Sequence, residues 1–85
     1  MRHRADQDFW KLYEALPTSI KERAKKAFAL LKDDSSHPSL RFKKVGSKWS
    51  ARIDRKHRAL AIETDDGLLG VWIGSHDDYE REITS

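Results

Sequence analysis

A lone imidazole, His76, is followed three residues later by the phenol of Tyr79, and the two share a face if this segment is helical. Upstream, residues 41–58 carry eight Lys or Arg (Arg41, Lys43, Lys44, Lys48, Arg52, Arg55, Lys56, Arg58) against one acid, Asp54, a local balance of +7. An imidazole exchanges protons near neutral pH, and arginines can neutralise charge that develops on a phosphate. Such a set suffices for metal-free RNA cleavage, in which the ribose 2′-hydroxyl attacks its own 3′-phosphate and the protein supplies alignment, cations and proton transfer. DNA lacks that hydroxyl. On these patterns alone, His76 also fits a second role, as a hydrogen-bonded cap of the final turn. The basic run likewise fits either a surface for phosphates or an acidic protein, or a solvated strand pair. In the second case it would be balanced by residues 63–82, where seven acids stand against Arg81.

Other chemistries find little support. The sequence holds no glycine-rich phosphate loop, no HExxH and no serine elbow. It holds no cysteine, which removes thiolate catalysis, disulfides and cysteine-ligated zinc. The four histidines, at 3, 37, 57 and 76, have no ligand spacing with one another, so neither a metal nor another cofactor is expected. Neighbouring carboxylates at Asp65 and Asp66 and at Asp77 and Asp78 diverge, and read as turn or cap residues. No apolar run of membrane-spanning or signal-peptide type is present, so no membrane partner is expected and cytoplasmic residence is the default. With 85 residues, 38% hydrophobic and 36% charged, residues 1–85 read as one domain that can bury one sheet face against helices.

The elements that must position these groups are legible from periodicity. Phe9, Leu12, Tyr13 and Leu16 form an apolar helical stripe ended by Pro17, with Asp6 and Asp8 where a first turn favours acids. A second helix follows, with Ser19 and Glu22 as a possible capping box and Ile20, Ala24, Ala27, Phe28 and Leu31 as its buried stripe. Its lysines and arginine read as a solvated face or as an extension of the cationic surface. Turn and breaker residues at 32–38 end it, and His37, preceding Pro38, is expected to be extended. A strand from Arg41 ends or bulges at Val45, where the alternation breaks. Residues 49–54 alternate strictly, with Trp49, Ala51 and Ile53 on one side and Ser50, Arg52 and Asp54 on the other. Residues 58–63 and 68–74 make two further strands joined by TDDG at 64–67, where Gly67 can supply a positive φ. The expected fold is α+β: two N-terminal helices packed on an antiparallel sheet of three or four strands, with a short C-terminal helical turn.

Several stretches in order along the chain carry a family likeness: FWKLYEALP (9–17), AKKAFALL (24–31), HPSLRFKK (37–44), WSARI (49–53) with RAL (58–60), and WIGSHDDY (72–79). With these the sequence resembles toxins of the RelE/ParE superfamily from bacterial toxin–antitoxin pairs. The resemblance implies a compact domain neutralised by a cognate antitoxin protein that wraps it. It also implies an enzyme, a ribosome-dependent messenger-RNA endonuclease acting without metal, with the ribosome and mRNA as further partners. By position, Arg52 would contact the scissile phosphate, His76 would act in proton transfer with Tyr79 beside it, and Lys43, Lys44 and Arg55 would hold RNA backbone, alongside Arg41 and Arg58. Where some relatives place a glutamate near the second strand, this sequence has Lys43 and Lys44. The family's amino-terminal strand is expected to be short or lost, because residues 1–5 are basic and lack β-branched side chains. Relatives that poison gyrase share the fold without a nuclease set, as do catalytically silent members, and both remain open for this chain.

Overall fold

The computed structural model describes residues 2–84. In chain order the elements are β1 (Arg2–Ala5), α1 (Gln7–Glu14), α2 (Thr18–Asp33), a 3₁₀ turn (Pro38–Leu40), β2 (Lys43–Val45), β3 (Lys48–Arg52), β4 (His57–Thr64), β5 (Gly67–Ser75) and α3 (His76–Thr84). One five-stranded sheet has the order β1-β5-β4-β3-β2. Four of its strands form an antiparallel meander, and β1 adds to β5 in parallel, with Arg2 opposite Gly67 and Ala5 opposite Gly70. The sheet therefore has five strands rather than three or four. The amino-terminal strand is present over four residues, held by its ladder to β5 rather than by any β-propensity of its own.

Asp6 accepts the Phe9 N–H at 2.8 Å and so caps α1. Phe9 and Tyr13 are buried as the stripe requires, but Leu12 is 37% exposed, and α1 ends at Glu14, before the fourth stripe position, Leu16. α2 begins at Thr18, with Pro17 in the cap position and its carbonyl accepting from Ile20 and Lys21. The Ser19–Glu22 capping box does not form, because proline's fixed φ starts the helix early and leaves Ser19 inside the first turn. Ala24 and Ala27 bring α2 close, and Phe9, Tyr13, Ala24, Ala59 and Ile73 form the core, with Leu16, Phe28 and Ile53 against it. Full burial of a side chain such as Ile73 stabilises the fold by about 2 kcal/mol.

The segment from Arg41 differs from the expected strand. Pro38–Leu40 turns as a 3₁₀ helix, Arg41 is left-handed at φ 43°, and pairing starts only at Lys43. His37 is extended before Pro38, and its Nδ1 accepts from the Ser39 N–H at 3.2 Å. β2 ends at Val45, and a two-residue turn with Gly46 at φ 63° leads into β3. Gly67 has φ 155° and pairs with Thr64 across the β4–β5 turn.

The β4–β5 ladder shifts register between Leu60 and Ala61: Leu60 faces Trp72, whereas Ala61 faces Gly70. Val71 is therefore an extra residue, a β-bulge that changes the parity of β5. This allows odd-numbered Ile73 and even-numbered Gly70 to lie on the helix-covered face together, where a Cβ on Gly70 would stand 3.1 Å from Phe9 Cδ2. At the C-terminal end, α3 is a nine-residue helix rather than a short turn. Asp77 and Asp78 lie in its first turn, where acids complement the helix dipole, and Arg81 pairs with Asp78.

Candidate active site

Strand register places the cations. Across β3, β4 and β5, one row reads Ala51, Ala59, Ile73 and faces the helices, while the next reads Arg52, Arg58, Gly74 and faces the other way. One further step along the strands, Ser50, Leu60 and Trp72 lie on the arginine face. α3 packs on β4 and β5 there, with Tyr79 buried and its ring centroid 6.5 Å from Trp72 and 5.7 Å from His76. The indole of Trp72 reaches along the strand over Gly74, where a Cβ would come 2.7 Å from Trp72 Cζ2. Glycine is the residue that fits there.

Arg58 is the most constrained of the arginines. Its Nη1 donates to the carbonyls of Asp54 and of His57, the latter at 2.8 Å, so it closes the hairpin it belongs to. Burial is the main influence lowering its pKa, and Arg52 and Arg41 push the same way, against Tyr79 and Asp54. Arg41, Arg52 and Tyr79 thus all lie within electrostatic reach of one guanidinium. His76 opens α3, two residues beyond Gly74, and its N–H donates to the Lys56 carbonyl at 2.6 Å, tying the start of α3 to the β3–β4 hairpin. Its ring is half-exposed, with Nε2 3.5 Å from Glu80 Oε1. The side-chain cap of α3 is Ser75, whose Oγ accepts the Asp78 N–H at 3.2 Å, which leaves the imidazole out of the cap. Arg52, Arg58 and the start of α3 with His76 and Tyr79 therefore lie toward one end of one sheet face, with Tyr79 acting electrostatically on Arg58 and its ring beside that of His76.

The remaining cations divide. Lys43 pairs with Ser50 and belongs to the arginine face. Lys44 pairs with Trp49 and faces the other way, 3.4 Å from Glu63, whose carboxyl is held below its ordinary value first by the Trp49 Nε1–H and then by Lys44. Arg55 is exposed at the hairpin tip. Pattern reading missed a pair in the same hairpin: Asp54 Oδ1 lies 3.0 Å from His57 Nδ1, with Arg23 Nη1 of α2 4.0 Å from Oδ2. The only sequence signal for it is a D-x-x-H spacing inside a turn. Among the described residues, no group of three or more His, Cys, Asp or Glu is placed to hold a metal ion. Among them too, no helix is long and apolar enough to cross a membrane.

The family model of the ParE-like toxin domain matches residues 18–81, from the start of α2 into α3. The chain belongs to the ParE-like toxin domain family. Similar folds occur in the RelE toxin of the RelB–RelE antitoxin–toxin complex of Methanococcus jannaschii, with TM-score 0.71 and 15% identity over 92% of this chain and 95% of that one. They also occur in the YoeB/ParE toxin of Agrobacterium tumefaciens, with TM-score 0.71 and 18% identity over 89% of this chain and 99% of that one. YafQ of Escherichia coli BL21(DE3) gives TM-score 0.73 and 13% identity over 92% and 96%. No curated protein matches this ParE-like domain by sequence. At these identities the structural likeness carries the fold, and the family model carries the membership.

Proposed function

We propose that this ParE-like toxin domain is the toxin of a toxin–antitoxin pair and cleaves messenger RNA on the ribosome without a metal. The observation that supports the reading is a half-exposed imidazole, His76, at the end of the sheet face that carries the Arg52–Arg58 row. In the reaction, the 2′-hydroxyl oxygen attacks the adjacent phosphorus while the bond to the 5′-oxygen breaks, leaving a 2′,3′-cyclic phosphate and a 5′-hydroxyl. The 2′-hydroxyl proton passes to solvent water, and the departing 5′-oxygen takes a proton from the His76 imidazole. Arg52 compensates the charge that builds on the non-bridging oxygens, while Arg58, held by its own hairpin, keeps the cationic row in place. Tyr79 is the floor on which His76 rests. Arg41, Lys43 and Arg55 attract the flanking backbone, and Lys44 contributes from the far side of β2.

The antitoxin as partner is supported by neighbours solved as RelB–RelE complexes, from M. jannaschii, Pyrococcus horikoshii and E. coli. An apolar cleft of about 170 Å³ between the helices and the sheet, with Trp10 48% exposed at its rim and Arg4 and Lys32 at its mouth, offers such a protein a surface to cover.

The test is to map message ends in cells that briefly express the protein. Cleavage should appear within translated messages and fall by at least ~100-fold in Arg52→Ala and in His76→Ala proteins that melt like the parent. Equal cleavage in both variants would overturn the assignment. A second reading, inhibition of gyrase, is favoured by the ParE-like family match and by the lack of an acid at Lys43 and Lys44. It would be recognised by intact messages with lost supercoiling activity.

A further inference from the structure

Beside the arginine row lies a second cationic cluster that the cleavage reading leaves unused. Arg23, Lys26, Ala27 and Leu30 follow i, i+3, i+4, i+7 spacing, so they share one face of α2, next to the stripe that packs on the sheet. This face looks across a cleft of about 210 Å³ to the end of β3 and the 3₁₀ turn, which contribute Arg52, Ile53, Ser39 and Leu40. The lining thus combines three cations and a hydroxyl with an apolar floor, and includes no carboxylate. The acid that approaches it is Asp54, whose Oδ2 is 4.0 Å from Arg23 Nη1. That carboxylate is already occupied, since its Oδ1 takes the Lys56 N–H at 2.8 Å and lies 3.0 Å from His57 Nδ1. At most one of the three positive charges is offset by it. Like charges gathered at a concave surface repel one another unless an anion enters. The cleft is open and far larger than the ~10–15 Å³ that one water needs on this measure, so it admits an anion of several atoms.

We propose that this cleft is a phosphodiester-binding subsite, which seats the backbone of an RNA strand next to the phosphate held at Arg52. Arg52 joins the two places, because it stands opposite Arg58 in the β3–β4 ladder and also lines the cleft. A strand with one phosphate at the arginine row passes its neighbouring backbone around the end of β3 to Arg23 and Lys26. The identity of the strand as RNA rests on the proposed cleavage activity; the cleft's affinity for backbone phosphates does not.

The test uses a fluorescent single-stranded RNA with 2′-O-methyl groups, which cannot be cut, titrated with the full chain over a salt series. The Arg23→Gln, Lys26→Gln double variant should bind at least tenfold more weakly. Its plot of log K against log salt should become shallower by about 0.7 for each phosphate that is no longer neutralised. Lys25→Gln, exposed on α2 but outside the cleft, should change neither by more than twofold. Both cleft side chains are exposed, so melting temperatures should match the parent. Binding unchanged in the double variant, an equal loss in Lys25→Gln, or no binding by the parent would each overturn the subsite. Inorganic phosphate that displaces the strand at a matching phosphate concentration would also overturn it, by assigning the cleft to a free anion. Messages left intact in cells, with Arg23- and Lys26-dependent binding retained, would sink the cleavage reading and leave the subsite standing.

Discussion

Asp54 shows how much of the candidate site is set by single side chains. Burial pushes its carboxyl up, but the Lys56 N–H and the His57 ring outweigh burial, and the group sits below its ordinary value of 3.8. The folded state then holds fewer protons than the unfolded chain, so the contribution to stability is complete above that ordinary value and disappears as pH falls through the lowered one. Asp54→Asn should cost about 1 kcal/mol at neutral pH, and the gap between variant and parent should begin to narrow as pH falls below about 4. Thermal melts from pH 3 to 7 check this; a gap independent of pH would mean that the charge is irrelevant. Residue by residue, the sequence exposes some of the site and hides the rest. Alternation in 49–54 is enough to put Arg52 opposite the core-facing Ala51 and Ile53. It cannot separate Lys43 from Lys44, which depend on where β2 starts, and a left-handed Arg41 moves that start two residues along. Nor can it join Arg23 and Lys26 to Arg52, since that cleft exists only after α2 has packed beside β3.

Among the elements, β5 does the most to shape the site, and its glycines explain how. Gly74→Ala would drive a methyl into the Trp72 indole, which in turn bears on Tyr79 and so on His76. The expected result is a loss of about 1–3 kcal/mol, together with reduced message cleavage although no charged group has changed. Melting and end-mapping of the same variant measure both. Wild-type cleavage would show that Trp72 can move aside without disturbing the imidazole. β3, β4 and β5 are readable in advance because their apolar residues recur at strand spacing and a turn-forming TDDG separates the last two. β1 is not, since RHRA has no pattern of its own and becomes a strand through a partner more than sixty residues away. The length of α3 escapes for a related reason: its cap is the hydroxyl of Ser75, at the end of the strand before it.

For the whole molecule, β1 occupies the hydrogen-bonding edge of β5, and the Arg4–Asp66 pair at 3.2 Å fastens it to the β4–β5 turn. A chain beginning at Asp6 should melt at lower temperature and associate with itself as concentration rises, because a nine-residue strand edge is left open. Sedimentation analysis would read the association; a monomer with unchanged melting would make β1 peripheral. The bulge at Val71 has a wider reach, because it changes the parity of β5 without turning either half over. Losing that one codon would keep the reading frame and every charged residue, and it would make Gly70 and Trp72 neighbours in a regular ladder, still on opposite faces, so Leu68, Gly70 and Ile73 would stay under the helices. A three-nucleotide deletion at this codon is therefore one that the sheet can absorb, with Phe9 keeping its seat and the arginine row its side.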